Sequence, residues 1–281
     1  MNKIRLIADR ETSFVYHVLS VARCGYDNAY GEKYRPDYPA AVLETLKKHQ
    51  RLITVSGGEH CGALYGLMVG LPAQGKSTAQ DFYREIVRQV NAGEVPEWGR
   101  PYASAAKEIA EAMLACYDHY VQAIWPEDQR KIEAYISQVS PLFENSDFTQ
   151  KAEAAVGCAL PADQFSAVLV PSIQYGPEAI DISEDRDVFG IGRDPQDAFL
   201  FIGHEFLIYL LKSALRDEDA FRRFDTWRLT EALADHYLKQ IIGSDCFSRL
   251  QPLIAFYEAQ PRLSPVQLYR LALKAQADGT I

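Results

Sequence analysis

The sequence predicts an α+β fold, mostly helical, with one small mixed β-sheet. Three observations carry that expectation. Apolar residues recur at helical spacing over long stretches, as at Ile109, Met113, Cys116, Tyr120 and Ile124. Between residues 165 and 191 the period changes to short β-branched runs bounded by proline and glycine. From Phe199 to Leu211 nearly every helical face is apolar, which marks a buried helix.

The first residues read as a strand, Ile4–Ile7, then a helix near Phe14–Ala22. A connector rich in Tyr, Gly and Pro spans 24–39, and 40–49 reads as a helix. Leu52–Val55 reads as a strand closed by the turn Ser56-Gly57-Gly58. Ala63–Val69 is a further strand candidate. It precedes Gly70-Leu-Pro-Ala-Gln-Gly75-Lys76-Ser77, which satisfies G-x-x-x-x-G-K-[ST], and Asp81–Val90 is amphipathic. That motif cradles phosphate only between a strand and a helix. No downstream strand ends in an Asp for magnesium, and the next sixty residues read as helix, so nucleotide binding at Gly70–Ser77 stays the alternative reading.

Pro96–Pro101 is the best linker candidate, which divides the chain into 1–98 and 99–281. Beyond it, Ser104–Ile124 is a helix. Pro126 restarts a helix that runs to Pro141, and another covers Phe148–Val156. His119, beside the apolar stripe of its helix, reads as structural. Strands follow at Phe165–Val170, Ala179–Ser183 and Asp187–Ile191. The tail, 247–273, is helical, with Ser264-Pro265 starting the last helix.

The organising stretch is 194–243. Asp194 is a good N-cap and Pro195 suits the first helical position. The helix they open, about 195–215, holds His204 and Glu205 in its apolar middle, and a core accepts such polar groups only with partners. A second helix, about 227–242, stops at Gly243 and carries Glu231 and Asp235 four apart, on one face.

This pair of helices resembles the active-site core of the zincin metallopeptidases, in the gluzincin branch whose third zinc ligand is a glutamate. The resemblance covers roughly residues 160–243. It implies a zincin-like C-terminal half with an active-site helix, a glutamate helix and a small sheet. It makes His204 the first zinc ligand, Glu205 the general base on zinc-bound water, and Glu231 the third ligand. Asp235 would orient His204 from behind. The substrate would be a peptide or protein, with Val188–Gly192 as the strand that pairs with it. The departure is Ile208, which stands where the family has its second histidine. Zinc would then bind weakly or not at all, leaving a hydrolase with a substituted ligand or an inactive homologue. Replacement ligands to weigh are His60, His236 and Tyr209. His236 projects about 100° away from Asp235, so the sequence favours His60.

Two other readings compete. In one, the four polar residues are an ordinary buried network, and Glu231 lies far from His204. Zincin ancestry instead requires the two heads to converge within a few ångströms. In the other, the chain is a non-enzymatic interaction module, which 16 tyrosines and an acidic surface permit.

Composition bounds the field. A net charge of -9 argues against a nucleic-acid binder and against a polybasic membrane patch. The longest apolar run, 198–211, is too short to span a bilayer. Five scattered cysteines without CxxC spacing favour reduced thiols, and with no secretory pattern at the start the expectation is a cytoplasmic protein.

Overall fold

A computed structural model describes residues 2–56, 60–174, 180–183, 185–192, 194–218 and 226–281. The protein is an α+β fold, mostly helical, with a small four-stranded sheet. In chain order the strands are β1 (Ile4–Ile7), β2 (Val55–Ser56), β3 (His60–Cys61), β4 (Phe165–Val170), β5 (Ile180–Ser183) and β6 (Arg186–Gly190). The helices are α1 (Arg10–Val21), α2 (Ala29–Tyr34), α3 (Ala40–Lys48), α4 (Gln50–Ile53), α5 (Leu71–Ala73), α6 (Ala79–Ala92) and α7 (Ala103–His119). They continue with α8 (Trp125–Ser146), α9 (Phe148–Val156), α10 (Pro195–Ala214), α11 (Trp227–Ile242), α12 (Gln251–Glu258) and α13 (Pro265–Ala277).

The chain forms two compact units, one of residues 1–6, 137–167 and 193–281, the other of 7–136 and 168–192. The expected division at residue 98 therefore falls inside the second unit. The reason is packing: α6 and α7 lie along each other, so the helix after Pro96–Pro101 stays with the N-terminal helices.

In the unit of 7–136 and 168–192, α1 is the central helix. Asp9 caps it by accepting from Thr12 N, and its residues from Glu11 to Val21 are all buried. It touches α2, α5, α6 and α7. A single helical path runs from α7 into α8 through a π-helical turn, Tyr120–Ile124. Pro126 explains the turn. A proline inside a helix has no N–H to give and crowds the carbonyl four residues back, and a wider turn relieves both. The expected fresh start at Pro126 is thus a bulge in a continuing helix, and α8 runs past Pro141 to Ser146.

Two expected strands are corrected here. Leu52–Ile53 belong to the end of α4, and β2 begins at Val55. Residues 66–70 form a π-helical turn that runs on into α5, so no strand precedes Gly70. Lys76 is exposed, and Ala79 N, at the start of α6, is already bonded to the buried carboxylate of Glu11 at 2.7 Å. An anion already occupies that helix start, and the strand–loop–helix context of a phosphate loop is not formed.

The four-stranded sheet has the order β1-β4-β6-β5. β4 is buried along its whole length, as its run FSAVLV, apolar but for Ser166, requires. β5 and β6 pair antiparallel with Ile180 opposite Val188, and a register irregularity falls between Asp181 and Ser183. β6 therefore has partners on both sides, β4 and β5, and cannot add a substrate strand as the resemblance suggested for 188–192. Ala179, the expected start of β5, lies outside the described residues.

In the other unit α10 packs against α9, α11 and α13. Phe143, Phe148, Phe199 and Phe206 form a chain of ring contacts, with centroids 4.6 Å apart at Phe143–Phe199. Each such fully buried apolar side chain contributes about 1.5–3 kcal/mol. Gly203 faces Phe148 and Leu238, where a Cβ would stand 3.0 and 3.3 Å from their side chains. The glycine in this apolar helix thus marks a close approach of α10 to Phe148 of α9 and Leu238 of α11.

Candidate functional site

The site lies between α10 and α11, within one unit. Asp194 accepts from Gln196 N at 2.8 Å and Pro195 occupies the first turn, so α10 starts where the sequence places it. α11 ends at Gly243, whose φ of +79° lies in the left-handed region that glycine adopts without strain. His204 lies on the buried face of α10, and Glu231 and Asp235, four apart on α11, share the face turned towards it.

The imidazole of His204 is fully buried and lies between two carboxylates. Its Nδ1 is 2.8 Å from Asp235 Oδ1, and its Nε2 is 3.1 Å from Glu231 Oε2. A carboxylate can only accept, so both ring nitrogens donate and the ring is an imidazolium. Burial opposes that charge, but the hydrogen bonds to Asp235 and Glu231 and the nearby charge of Glu205 outweigh it. Together they push the His204 pKa up to about 10. Glu205 is half-buried on the next position of α10.

Asp235 has no exposed surface and is held by backbone. Its Oδ1 also accepts from Cys246 N at 3.1 Å, and its Oδ2 from Phe247 N at 3.0 Å. The segment just after α11 thereby folds over the site. The Phe247 ring stands edge-on to His204, 5.1 Å between centroids, and the guanidinium carbon of Arg249 lies over the Phe247 ring, 5.2 Å from its centroid. His204, Asp235 and Cys246 form a group whose potential metal-ligating atoms all lie within 4.8 Å of one another.

The structure thus brings His204, Glu231 and Asp235 together. Ile208, one turn after His204, is buried and offers no donor. Of the substitutes weighed, His236 is turned to Gln240, with 2.8 Å between its Nε2 and the amide nitrogen, and Tyr209 packs against Phe165. The side chain of His60 lies outside the described residues, as do residues 219–225 between the helices. A catalytic zinc takes three protein ligands and a water. On the Nε2 side of His204 the ring and Glu231 supply two among the described residues. With Ile208 in the third position, this donor set does not fit a catalytic zinc.

Cys246 and Phe247 were not legible as part of the site. Cys246 has no CxxC partner, and its role depends on the chain doubling back after Gly243, so the only available signal was its nearness in sequence to Asp235.

Comparison with protein-family models, with curated proteins and with solved structures finds no match for this chain. No helix among the described residues is long and apolar enough to cross a membrane.

Proposed function

We propose that this chain is a zincin-like, metallopeptidase-type protein whose zinc site is incomplete, and that it is an inactive homologue. On this reading α10 is the active-site helix and α11 the glutamate helix. One observation supports it above the rest: residues 204 and 231, on separate helices, place an imidazole nitrogen and a carboxylate oxygen 3.1 Å apart, while Asp235 holds the opposite nitrogen. That is the convergence the ancestry requires and an unrelated buried network does not.

What has been lost is the second histidine, replaced by Ile208. Without it, Glu205 has no metal-bound water to deprotonate, and zinc binding on that side is weak or absent. What remains is a buried ionic cluster that locks α10 to α11.

The test is hydrolysis of an unstructured protein such as casein with added zinc. Equal background rates for the parent and Glu205→Gln support an inactive homologue. Zinc-dependent cleavage that Glu205→Gln abolishes would mean that a further ligand completes the site.

A further inference from the structure

We propose that His204 Nδ1, Asp235 and the thiolate of Cys246 form a binding site for zinc, on the opposite edge of the imidazole from Glu231. This site does not depend on the zincin reading, which places metal at Nε2.

Three features argue for it. The donor atoms already lie within 4.8 Å of one another, and one nitrogen, one oxygen and one sulfur make a set that suits zinc. Zinc–nitrogen and zinc–sulfur bonds of about 2.0 and 2.3 Å put tetrahedral ligands roughly 3.5 Å apart. The sulfur closes in by a turn of the Cys246 side chain, and the 2.8 Å between His204 Nδ1 and Asp235 Oδ1 opens by roughly 0.5 Å as the ion replaces the proton between them.

The charges also match. Asp235 and a thiolate carry two negative charges, and a divalent ion neutralises them where bare charge is costly. Zinc takes the place of the Nδ1 proton and displaces the thiol proton. Both protons leave to solvent, and no electron moves.

The surroundings are those of a ligand set. Metal-bound imidazoles give their other N–H to a carboxylate, as Nε2 of His204 does to Glu231. Metal-bound carboxylates are themselves hydrogen-bonded, as Asp235 is by Cys246 N and Phe247 N. Its Oδ2 accepts from Phe247 N at 3.0 Å, and a carboxylate oxygen carries a second lone pair. Cys246 is half-buried, so ion and water reach the site from its side.

The experiment is a cobalt(II) titration of the full chain, followed by absorption and then by zinc competition. One equivalent should produce a thiolate-to-cobalt charge-transfer band that zinc removes. Cys246→Ser, checked for folding by circular dichroism, should lose the band. Glu231→Gln should keep it with affinity weakened about 10–100-fold, as for an orienting group. The proposal is overturned if the parent gives no band or if folded Cys246→Ser retains it. Cobalt binding that needs Glu231 and ignores Cys246 would also overturn it, and would place the ion at Nε2 instead.

Discussion

His204 Nδ1 and Asp235 Oδ1 face each other at 2.8 Å, and neither residue has any exposed surface. Asp235 is also the anchor for the two backbone amides of Cys246 and Phe247, so one carboxylate joins α10, α11 and the segment that follows. Removing it would leave a buried imidazolium without its partner and the backbone N–H groups of Cys246 and Phe247 without their acceptor. Asp235→Ala should therefore lower stability by about 3–5 kcal/mol, the range for breaking one side of a buried ion pair. Urea unfolding of both proteins measures it; a loss below about 1 kcal/mol would show that the pair holds little.

The same pair makes stability depend on pH. The folded-state pKa of His204 is raised to about 10 from an ordinary 6.5. The folded state thus holds a proton that the unfolded chain releases earlier. The stabilisation is complete below about pH 6.5 and is lost as pH rises towards 10. The unfolding free energy of the parent should fall between pH 7 and 10 more steeply than that of His204→Gln. Parallel curves would contradict a charged His204.

Gly203 sets the approach of α10 to its neighbours. A methyl group there would press on the rings and methyls of Phe148 and Leu238, both fully buried. Alanine is worth about 1 kcal/mol over glycine in a helix, but overpacking costs about 1–3 kcal/mol. Gly203→Ala should therefore destabilise on balance, and a raised melting temperature would show that the core yields there.

A second buried histidine behaves in the opposite way. His17 has Nδ1 2.8 Å from the Tyr30 hydroxyl and Nε2 2.8 Å from the Tyr38 hydroxyl. Tyr30 gives its own proton to Asp128 at 2.6 Å, so it must accept from His17. That fixes the tautomer: Nδ1 carries the hydrogen and Nε2 accepts from Tyr38. Burial depresses the His17 pKa to about 3. Its contribution to stability is present above pH 6.5 and is lost as pH falls towards 3. Nitrogen-15 NMR at pH 7 should show the Nδ1–H form alone. A mixture of tautomers would break the assigned direction of the chain.

Much of this architecture could be read from residues, and the failures have physical causes. β4, α10 and α11 were legible because their signals are local: a short β-branched run between prolines, a cap with proline behind it, a terminal glycine. His204 stood out because an all-apolar helix makes a polar residue conspicuous. The strand expected over 63–69 failed because apolar runs of that length suit a buried helix equally well, and here the helical partners decided. Pro126 misled because its start signal is the same whether a helix begins or only bulges. A proline-rich turn such as Pro96–Pro101 marks a bend in the chain, while the packing of α6 on α7, which keeps residues on both sides of 98 in one compact unit, is a long-range fact. The closure over His204 by Cys246 and Phe247 rests on backbone amides, which have no sequence signature.

The most direct test of the zincin-like reading is to restore the missing ligand. Zinc binding should be measured by calorimetry for Ile208→His in a Cys246→Ala background, which removes the second, thiol-containing site. The account predicts that the restored variant binds one zinc tightly where Cys246→Ala alone does not, and that adding Glu231→Gln abolishes it. A folded Ile208→His variant that gains no zinc would contradict the assignment of α10 and α11 as an active-site helix and a glutamate helix.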